Sequence, residues 1–283
     1  MLADWNGLRS AALAHSGRVF SEQSWIDAAA RSVRFVDRDM RQKDGRLLHR
    51  FRDGDAAIPG FLDDEVFLTT AMLELYHATL DPAYLVRAVE LQRQTLELFW
   101  DSEHGGFFFT AGDNEELLVR QKEIYDGAMP SGNSMAADNL VRLTRLTGNS
   151  EFAERADQLF KAFSSQANSM PSAHSQLVSA YQRALSASLE VVIAGNPEAE
   201  DTRALLAAAR AEYRPHMALL VIAPGEAGDP IRSLAPFAEG YLPVEGRAAA
   251  YVCRNFSCQL PTTDPSELAR LLAEATNGPT ESR

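Results

Sequence analysis

Apolar residues recur along this chain at helical spacing, and three large ones stand in the same frame. Trp25, Tyr84 and Phe152 each precede an alanine by four residues, Ala29, Ala88 and Ala156. Residues four apart share one face of a helix. The frame repeats at about 60 residues, enough for two helices and their connections, so the chain reads as helical hairpins in series. Periodicity predicts helices over 4–16, with Leu8, Ala12 and Leu13 on one face, over 22–41, with Trp25, Ala29, Val33 and Val36, and over 61–80, with Val66, Phe67, Met72, Leu75 and Tyr76. Asp81-Pro82 opens another over 82–100, because proline suits a first helical turn. Two hairpins end alike, on Asp44-Gly45-Arg46-Leu47-Leu48 and on His104-Gly105-Gly106-Phe107-Phe108. Arg46 to Phe51 reads as a short extended piece, Phe107 to Thr110 as a strand, and Ala111 to Ser131 as a long loop of the kind that carries function.

Capping residues set the next elements. Ser131 or Asn133 starts a helix over 132–147 that Gly148 stops, and Asn149 or Ser150 starts one over 150–166. A helix over 172–186 follows Pro171. The pattern then changes: Leu189 to Ala194 is a β-branched run that predicts a buried strand, followed by a helix over 199–211, strands over His216–Ala223 and Ala248–Cys253, and a helix over 265–275. The strand–helix–strand unit predicts a parallel pair joined by a right-handed crossover. The expected architecture is mainly α: an incomplete α/α toroid over 1–187, a small α/β segment over 188–276, and a frayed tail over 277–283. In such a toroid the ends of inner helices open onto a cleft, which is where function would sit.

Composition narrows the partners. The 283 residues are 46% hydrophobic and 23% charged, as in a globular domain, and the formal net charge of −12 would repel nucleic acid and anionic membranes. No membrane-length apolar run or secretory leader stands out, and with two cysteines, Cys253 and Cys258, the chain is not a disulfide scaffold, so a cytoplasmic protein is expected. The six histidines lack metal-ligand spacing, there is no phosphate-binding glycine loop, and no cofactor or metal is implied. Cys-x4-Cys fits neither a complete zinc site nor the usual redox spacing; structural or free thiols are the plainer reading, and a redox role is the other.

Acids gather at hairpin ends. Asp63, Asp64 and Glu65 open the third helix, and Asp126 precedes Pro130-Ser131-Gly132-Asn133-Ser134. Paired carboxylates in different environments perform acid–base chemistry on sugars, although acids in a first turn are also favoured simply by the helix dipole. Trp5-Asn6 joins a ring that can stack on a sugar to an amide that can hold a hydroxyl. Trp100 and Phe107 are further aromatic candidates, with core packing as their alternative. Arg120, Lys122 and Tyr125 lie in the long loop beside the expected cleft, as candidates for ligand contact or as a solvated segment.

Taken in order, Trp5-Asn6-Gly7-Leu8, Gly60-Phe61-Leu62-Asp63-Asp64, Phe99-Trp100-Asp101, Gly105-Gly106-Phe107-Phe108, Arg120-Gln121-Lys122, Tyr125-Asp126-Gly127-Ala128, Pro130-Ser131-Gly132-Asn133-Ser134 and Val191-Val192-Ile193-Ala194-Gly195 resemble the YyaL and spermatogenesis-associated protein family. Cys253-Arg254-Asn255-Phe256-Ser257-Cys258 with Pro261 is similar to that family's closing segment. The resemblance implies the C-terminal part of a protein that joins a thioredoxin-like domain to a six-hairpin α/α barrel, similar to N-acylglucosamine 2-epimerases and six-hairpin glycosidases. Asp63, Asp64, Asp126, Ser131 and Asn133 are then the cleft candidates. Nothing corresponds to the thioredoxin-like domain before Trp5, Arg9 replaces an apolar residue, and Glu65-Val66 replace Tyr-Ala. An open toroid would leave an edge for a thioredoxin-like domain or a second copy to cover. The expected function is binding of, or action on, a sugar-like small molecule in a carboxylate-lined cleft, as an isomerase, epimerase or glycosidase-like enzyme; the alternative is a non-catalytic scaffold for a thioredoxin-like partner.

Overall fold

The computed structural model describes residues 1–113 and 119–277. The expected frayed tail lies, from residue 278 onward, outside the described residues. The chain forms two compact units, Met1–Val141 with Glu151–Gln182, and Arg142–Ser150 with the chain from Arg183 onward.

The first unit is built from α1 (Ala3–Phe20), α2 (Gln23–Asp39), α3 (Leu62–Thr79), α4 (Pro82–Phe99), the first part of α5 (Gly132–Thr147), α6 (Ser150–Ser169) and α7 (Ser175–Leu185), with a hairpin of β1 (Leu48–Arg52) and β2 (Asp55–Pro59). α1 packs on α2 and α3, and α3 packs on α4. The helices divide by burial. α3 buries residues all round, from Leu62 and Val66 through Phe67, Leu68 and Leu73 to Tyr76, whereas α2 buries a single stripe of Ile26, Ala29, Ala30, Val33 and Val36. A helix apolar on every side belongs inside and an amphipathic one outside, which gives the inner and outer rows expected of α/α hairpins. The Asp81 carboxylate accepts from Ala83 N at 2.9 Å, capping α4 ahead of Pro82 as its sequence indicates.

The buried stripe of α1 is made of small residues, Ala3, Gly7, Ser10, Ala14 and Gly17. Gly7 allows the close approach to α3: a Cβ there would lie 2.7 Å from the backbone carbon of Phe67. In an exposed helix, replacing glycine by alanine gains up to about 1 kcal/mol. At Gly7 the sign should reverse. α1 and α3 would have to separate, so Gly7→Ala is expected to destabilise by about 1–3 kcal/mol, read as a lower urea midpoint.

β1 and β2 turn at Asp53-Gly54, with φ of 53° and 84°. Paired positive φ is what a two-residue hairpin requires. Only one arm is evident in the sequence, because Asp55–Pro59 carries weak strand propensity and pairs as the continuation of a turn. The strand expected over 107–110 is replaced by a single bridge between Trp100 and Phe107. Gly105 and Gly106, at φ of 71° and 77°, reverse the chain there, and no described strand lies alongside to extend a ladder.

The second unit contains β3 (Leu189–Ala194), α8 (Glu200–Arg210), β4 (Met217–Ile222), α9 (Asp229–Leu234), β5 (Ala249–Arg254), β6 (Ser257–Cys258) and α10 (Pro265–Asn277). The strand order is β4-β3-β5-β6, with β3 and β4 parallel across the α8 crossover and β5 and β6 antiparallel. Every residue of β3 is buried, as its unbroken apolar run predicts. The end of α5 belongs to this unit. Arg145 donates to the carbonyls of Ser186 at 2.9 Å and His216 at 3.1 Å, and also to that of Arg183. The reading of Cys253 and Cys258 as free thiols is corrected: they form a disulfide. Asn255 and Phe256, at φ of 49° and 60°, make a two-residue turn that sets the cysteines opposite one another across β5 and β6.

Candidate functional site

Asp63 and Asp64 lie at the start of α3, where the β1–β2 hairpin and the start of α1 reach them. Asp64 is fully buried and all its oxygens are engaged. Its Oδ2 accepts from Phe61 N at 2.8 Å, its Oδ1 accepts from Asp4 N at 2.9 Å, and His49 Nδ1 lies 3.0 and 3.1 Å from the two oxygens. The Phe61 bond is the return half of a capping box, so the helix-start reading of this aspartate is part of the truth. Burial raises the Asp64 pKa, and the Phe61 N–H and His49 oppose that rise. The imidazole is thereby oriented by a carboxylate, as in acid–base dyads. His49 side-chain exposure is 20%, enough to leave part of the ring accessible.

Asp63 is partly buried and has fewer partners. Burial first, then the charges of Asp64, Asp4 and Glu123, push its pKa from 3.8 to about 7, and a bond from the backbone of Gly132 opposes the shift. A Cβ at Gly132 would meet Asp63 Oδ1 and the Leu62 side chain, so a larger residue there would push the Asp63 carboxyl aside. Glu65 has no part in this pair: it is fully buried, raised to about 7 chiefly by burial, and bonded to the Leu47 backbone. Asp4, His49 and Asp64 bring ligand-type atoms within 4.8 Å of one another, which no spacing in the sequence indicates.

A cleft of about 360 Å³ is lined by Gln121, Lys122, Glu123, Ile124, Tyr125, Gln166 and His174, and neither Asp63 nor His49 is among its lining residues. Glu123 lines the cleft and also adds to the field at Asp63. Tyr125 is 60% exposed, with its ring available. Lys122 lines the cleft but its ammonium is bonded to Gly105 O at 2.6 Å and paired with Asp101. His174 Nδ1 lies 2.7 Å from Ile124 O, which fixes the ring against the cleft wall.

Several residues that the sequence marks as cleft candidates are occupied elsewhere. Asp126 accepts from Ser131 N at 2.9 Å, Gln176 N at 2.8 Å and Leu177 N at 3.2 Å, so its carboxylate caps the first turn of α7 and ties it to the start of α5. Asn133 is fully buried; it accepts from Phe107 N at 2.7 Å and donates to Phe107 O and Glu123 O, both at 2.9 Å. Ser131 Oγ accepts from Ser134 N at 3.1 Å and lies 2.8 Å from Ser134 Oγ, as a helix cap does. Phe107 is fully buried, so stacking on a ligand is ruled out for it. Trp100 packs edge-on against Phe107 at 4.9 Å, with Arg155 over its ring. Arg120 lies over Phe108 at 4.0 Å and donates to Thr110 O at 2.5 Å. Asn6 donates to Leu2 O at 2.6 Å within its own helix, whereas Trp5 is 59% exposed beside Asp4. The sequence reading passed over His49, Asp4 and Glu123. Only the fold of the hairpin brings His49 to Asp64, and no local spacing could have shown it.

The architecture and cluster define a mainly helical protein of α/α hairpins with a buried carboxylate–imidazole group and an attached α/β unit. No family model matches the chain. Along nearly its whole length the chain is homologous to spermatogenesis-associated protein 20: it is 34% identical to the human protein over 282 residues and 35% to that of Rattus norvegicus, in each case across 96% of this chain and 36% of the relative. It therefore spans about a third of those relatives, and the resemblance read from its motifs holds. An uncharacterised protein of Caenorhabditis elegans is 30% identical over 285 residues. Among solved structures, a family 105 glycoside hydrolase of C. acetobutylicum aligns with 58% of this chain and 48% of its own at a TM-score of 0.47. The family 76 alpha-mannanase BT2949 of Bacteroides thetaiotaomicron does so over 58% and 44% at 0.46, and each is 15% identical. No helix among the described residues is long and apolar enough to cross a membrane.

Proposed function

We propose that the helical unit binds a sugar-like small molecule and moves protons on it, with Asp63 and the His49–Asp64 dyad as its acid–base groups. The observation that carries this reading is the Asp63 carboxyl, whose pKa of about 7 lets it hold a proton, and give it up, near neutrality. The imidazole of His49, oriented by the neighbouring residue Asp64, supplies the complementary group. The cleft that Glu123 lines, about 360 Å³, is of small-molecule size, and through Glu123 it is coupled to the charge state of Asp63. Its glutamine amides, the carboxylate of Glu123 and the ring of Tyr125 suit a ligand with many hydroxyls and an apolar face.

Between the two carbohydrate chemistries, proton transfer in the manner of an isomerase or epimerase fits better than glycoside hydrolysis. A hydrolase of that type needs a second carboxylate free to attack or to activate water. Asp64 is engaged by Phe61 N, Asp4 N and His49, and Asp126 by three backbone N–H groups. In the favoured course one group removes a proton from carbon next to a carbonyl and the other returns one, with no net redox change.

The test is solvent-deuterium incorporation, followed by proton NMR in D2O, across a panel of aldoses, ketoses and N-acylated hexosamines. Exchange at one carbon is expected with one class of sugar. Asp63→Asn and His49→Asn should each lower it by about 100-fold or more, the usual worth of a positioned acid or base. Exchange unaffected by either substitution, or sugar binding without exchange, would exclude the acid–base role.

A further inference from the structure

In the α/β unit the disulfide lies in a row that crosses three strands. Register pairs Glu190 of β3 with Cys253 of β5, and Cys253 with Cys258 of β6. Cross-strand partners project from the same face of a sheet, so the Glu190 carboxyl and the two sulfurs follow one another. Cys253 is fully buried and Glu190 is 1% exposed, whereas residue Cys258 is partly exposed. The Tyr241 hydroxyl lies over the pair, 2.6 Å from Cys258 Sγ and 3.8 Å from Cys253 Sγ. Its ring stacks on Tyr251 at 4.4 Å, and the Tyr251 hydroxyl is anchored to Leu242 O at 2.7 Å.

A carboxyl buried in a sheet normally has every oxygen bonded. Glu190 Oε2 accepts from Phe256 N at 3.1 Å, while Oε1 has no hydrogen bond of good geometry. The groups that bear on this carboxyl are Ser188 and the Phe256 N–H, the charge of Arg145 from α5, and the Tyr241 hydroxyl from the loop before β5. Burial outweighs the favourable ones and raises its pKa, so it is suited to hold a proton. A purely structural cross-link does not need such a neighbour.

We infer that Cys253 and Cys258 form an exchange-competent disulfide that accepts electrons from a dithiol, with Cys258 as the sulfur attacked and Glu190 as the proton donor to Cys253. A thiolate of the dithiol attacks Cys258 Sγ, the Cys258–Cys253 bond breaks, and the electron pair leaves on Cys253. Glu190 delivers its proton to that buried thiolate. The second thiol of the dithiol then attacks the mixed disulfide, releasing Cys258 and closing the oxidised dithiol. Two electrons and two protons pass to the protein, and Glu190 regains its proton from solvent. In the second step the Tyr241 hydroxyl donates a hydrogen bond to Cys258 as it leaves, and Cys258 takes its proton from solvent.

The experiment is reduction of the intact chain by dithiothreitol under native conditions, with thiols trapped by alkylation and counted by intact mass. The expected rate is first order in dithiothreitol and faster than global unfolding measured on the same sample by hydrogen exchange. Divided by the thiolate fraction of the reductant, it should fall as pH rises and Glu190 ionises. Glu190→Gln should slow reduction about tenfold or more and remove that fall. Tyr241→Phe, which retains the ring stack, should accumulate the mixed disulfide on Cys258 and serves if Glu190→Gln does not fold. Reduction at the unfolding rate, independent of dithiothreitol, would overturn the inference; so would a wild-type rate and pH profile in Glu190→Gln, or no trapped mixed disulfide in Tyr241→Phe.

Discussion

Replacing Asp63 by asparagine is expected to stabilise the protein, and to do so more strongly as pH rises. In the folded state Asp63 keeps its proton up to about pH 7, whereas in the unfolded chain it ionises near 3.8. Between those values the folded state binds more protons than the unfolded one, so stability falls with increasing pH. Well below pH 3.8 both states are protonated and the substitution should be nearly neutral. Above pH 7 the folded wild type carries the full penalty of an ionised, half-buried carboxylate among Asp64, Asp4 and Glu123. The shift, about three units at about 1.4 kcal/mol each, sets an upper limit near 4 kcal/mol. Partial exposure of Asp63 reduces this, and about 2 kcal/mol at pH 8 is the expected gain. Asparagine retains an oxygen to accept from Gly132. Urea melts at pH 5 and pH 8 test this directly; an equal difference at both would mean that Asp63 is not held protonated. Glu65 adds a pH dependence of the same sign, common to both proteins and cancelled in the comparison. A residue whose removal stabilises the fold is one retained for something other than folding, and the same variant is expected to lose proton exchange on a sugar.

Asn133→Ala should act in the opposite direction and at all pH values. The side chain is fully buried and its amide holds both backbone groups of Phe107 and the carbonyl of Glu123. Truncation leaves those three groups without that partner, and each of the two buried ones, on Phe107, costs about 1–3 kcal/mol when unsatisfied. A loss of about 4 kcal/mol is expected, seen as a lower urea midpoint with an unchanged slope. The nearby cap Ser131→Ala should lose only about 1 kcal/mol. Comparable losses in the two variants would show that Asn133 does not clamp the loop as described. Because Glu123 lines the cleft, the surviving fold of Asn133→Ala should also bind ligand less well.

Much of the helical architecture was legible in the chain. α3 and α4 begin and end where their apolar periodicity and the Asp81-Pro82 signal place them, and β3, α8 and β4 form the parallel unit that their β-branched and amphipathic runs predict. β6 and α9 were not: two and six residues are too short for periodicity to register. The strand expected at 107–110 failed because its backbone bonds go to three separate segments, at Phe99, Gln121 and Leu62, and a strand needs one continuous partner.

The acids of the site divide along the same line. That Asp63 and Asp64 open a helix follows from the sequence, since a first turn and its capping box are local. That they differ from each other does not. His49 reaches Asp64 through a hairpin turn, Asp4 through the crossing of α1 on α3, and Gly132 approaches Asp63 from a helix almost seventy positions away. Asp126 and Asn133 looked like ligand groups because the polar residues that hold ligands are also those that cap helices and clamp loops. Only the direction of their hydrogen bonds separates the two uses. By itself the sequence determined the helices, the rows into which they sort and the parallel strand pair, because these follow from local periodicity and burial. The tertiary structure alone decided which carboxyl keeps its proton and which cysteines join, because proton affinity and sulfur pairing depend on distances between segments remote in the chain and on how far they are removed from water.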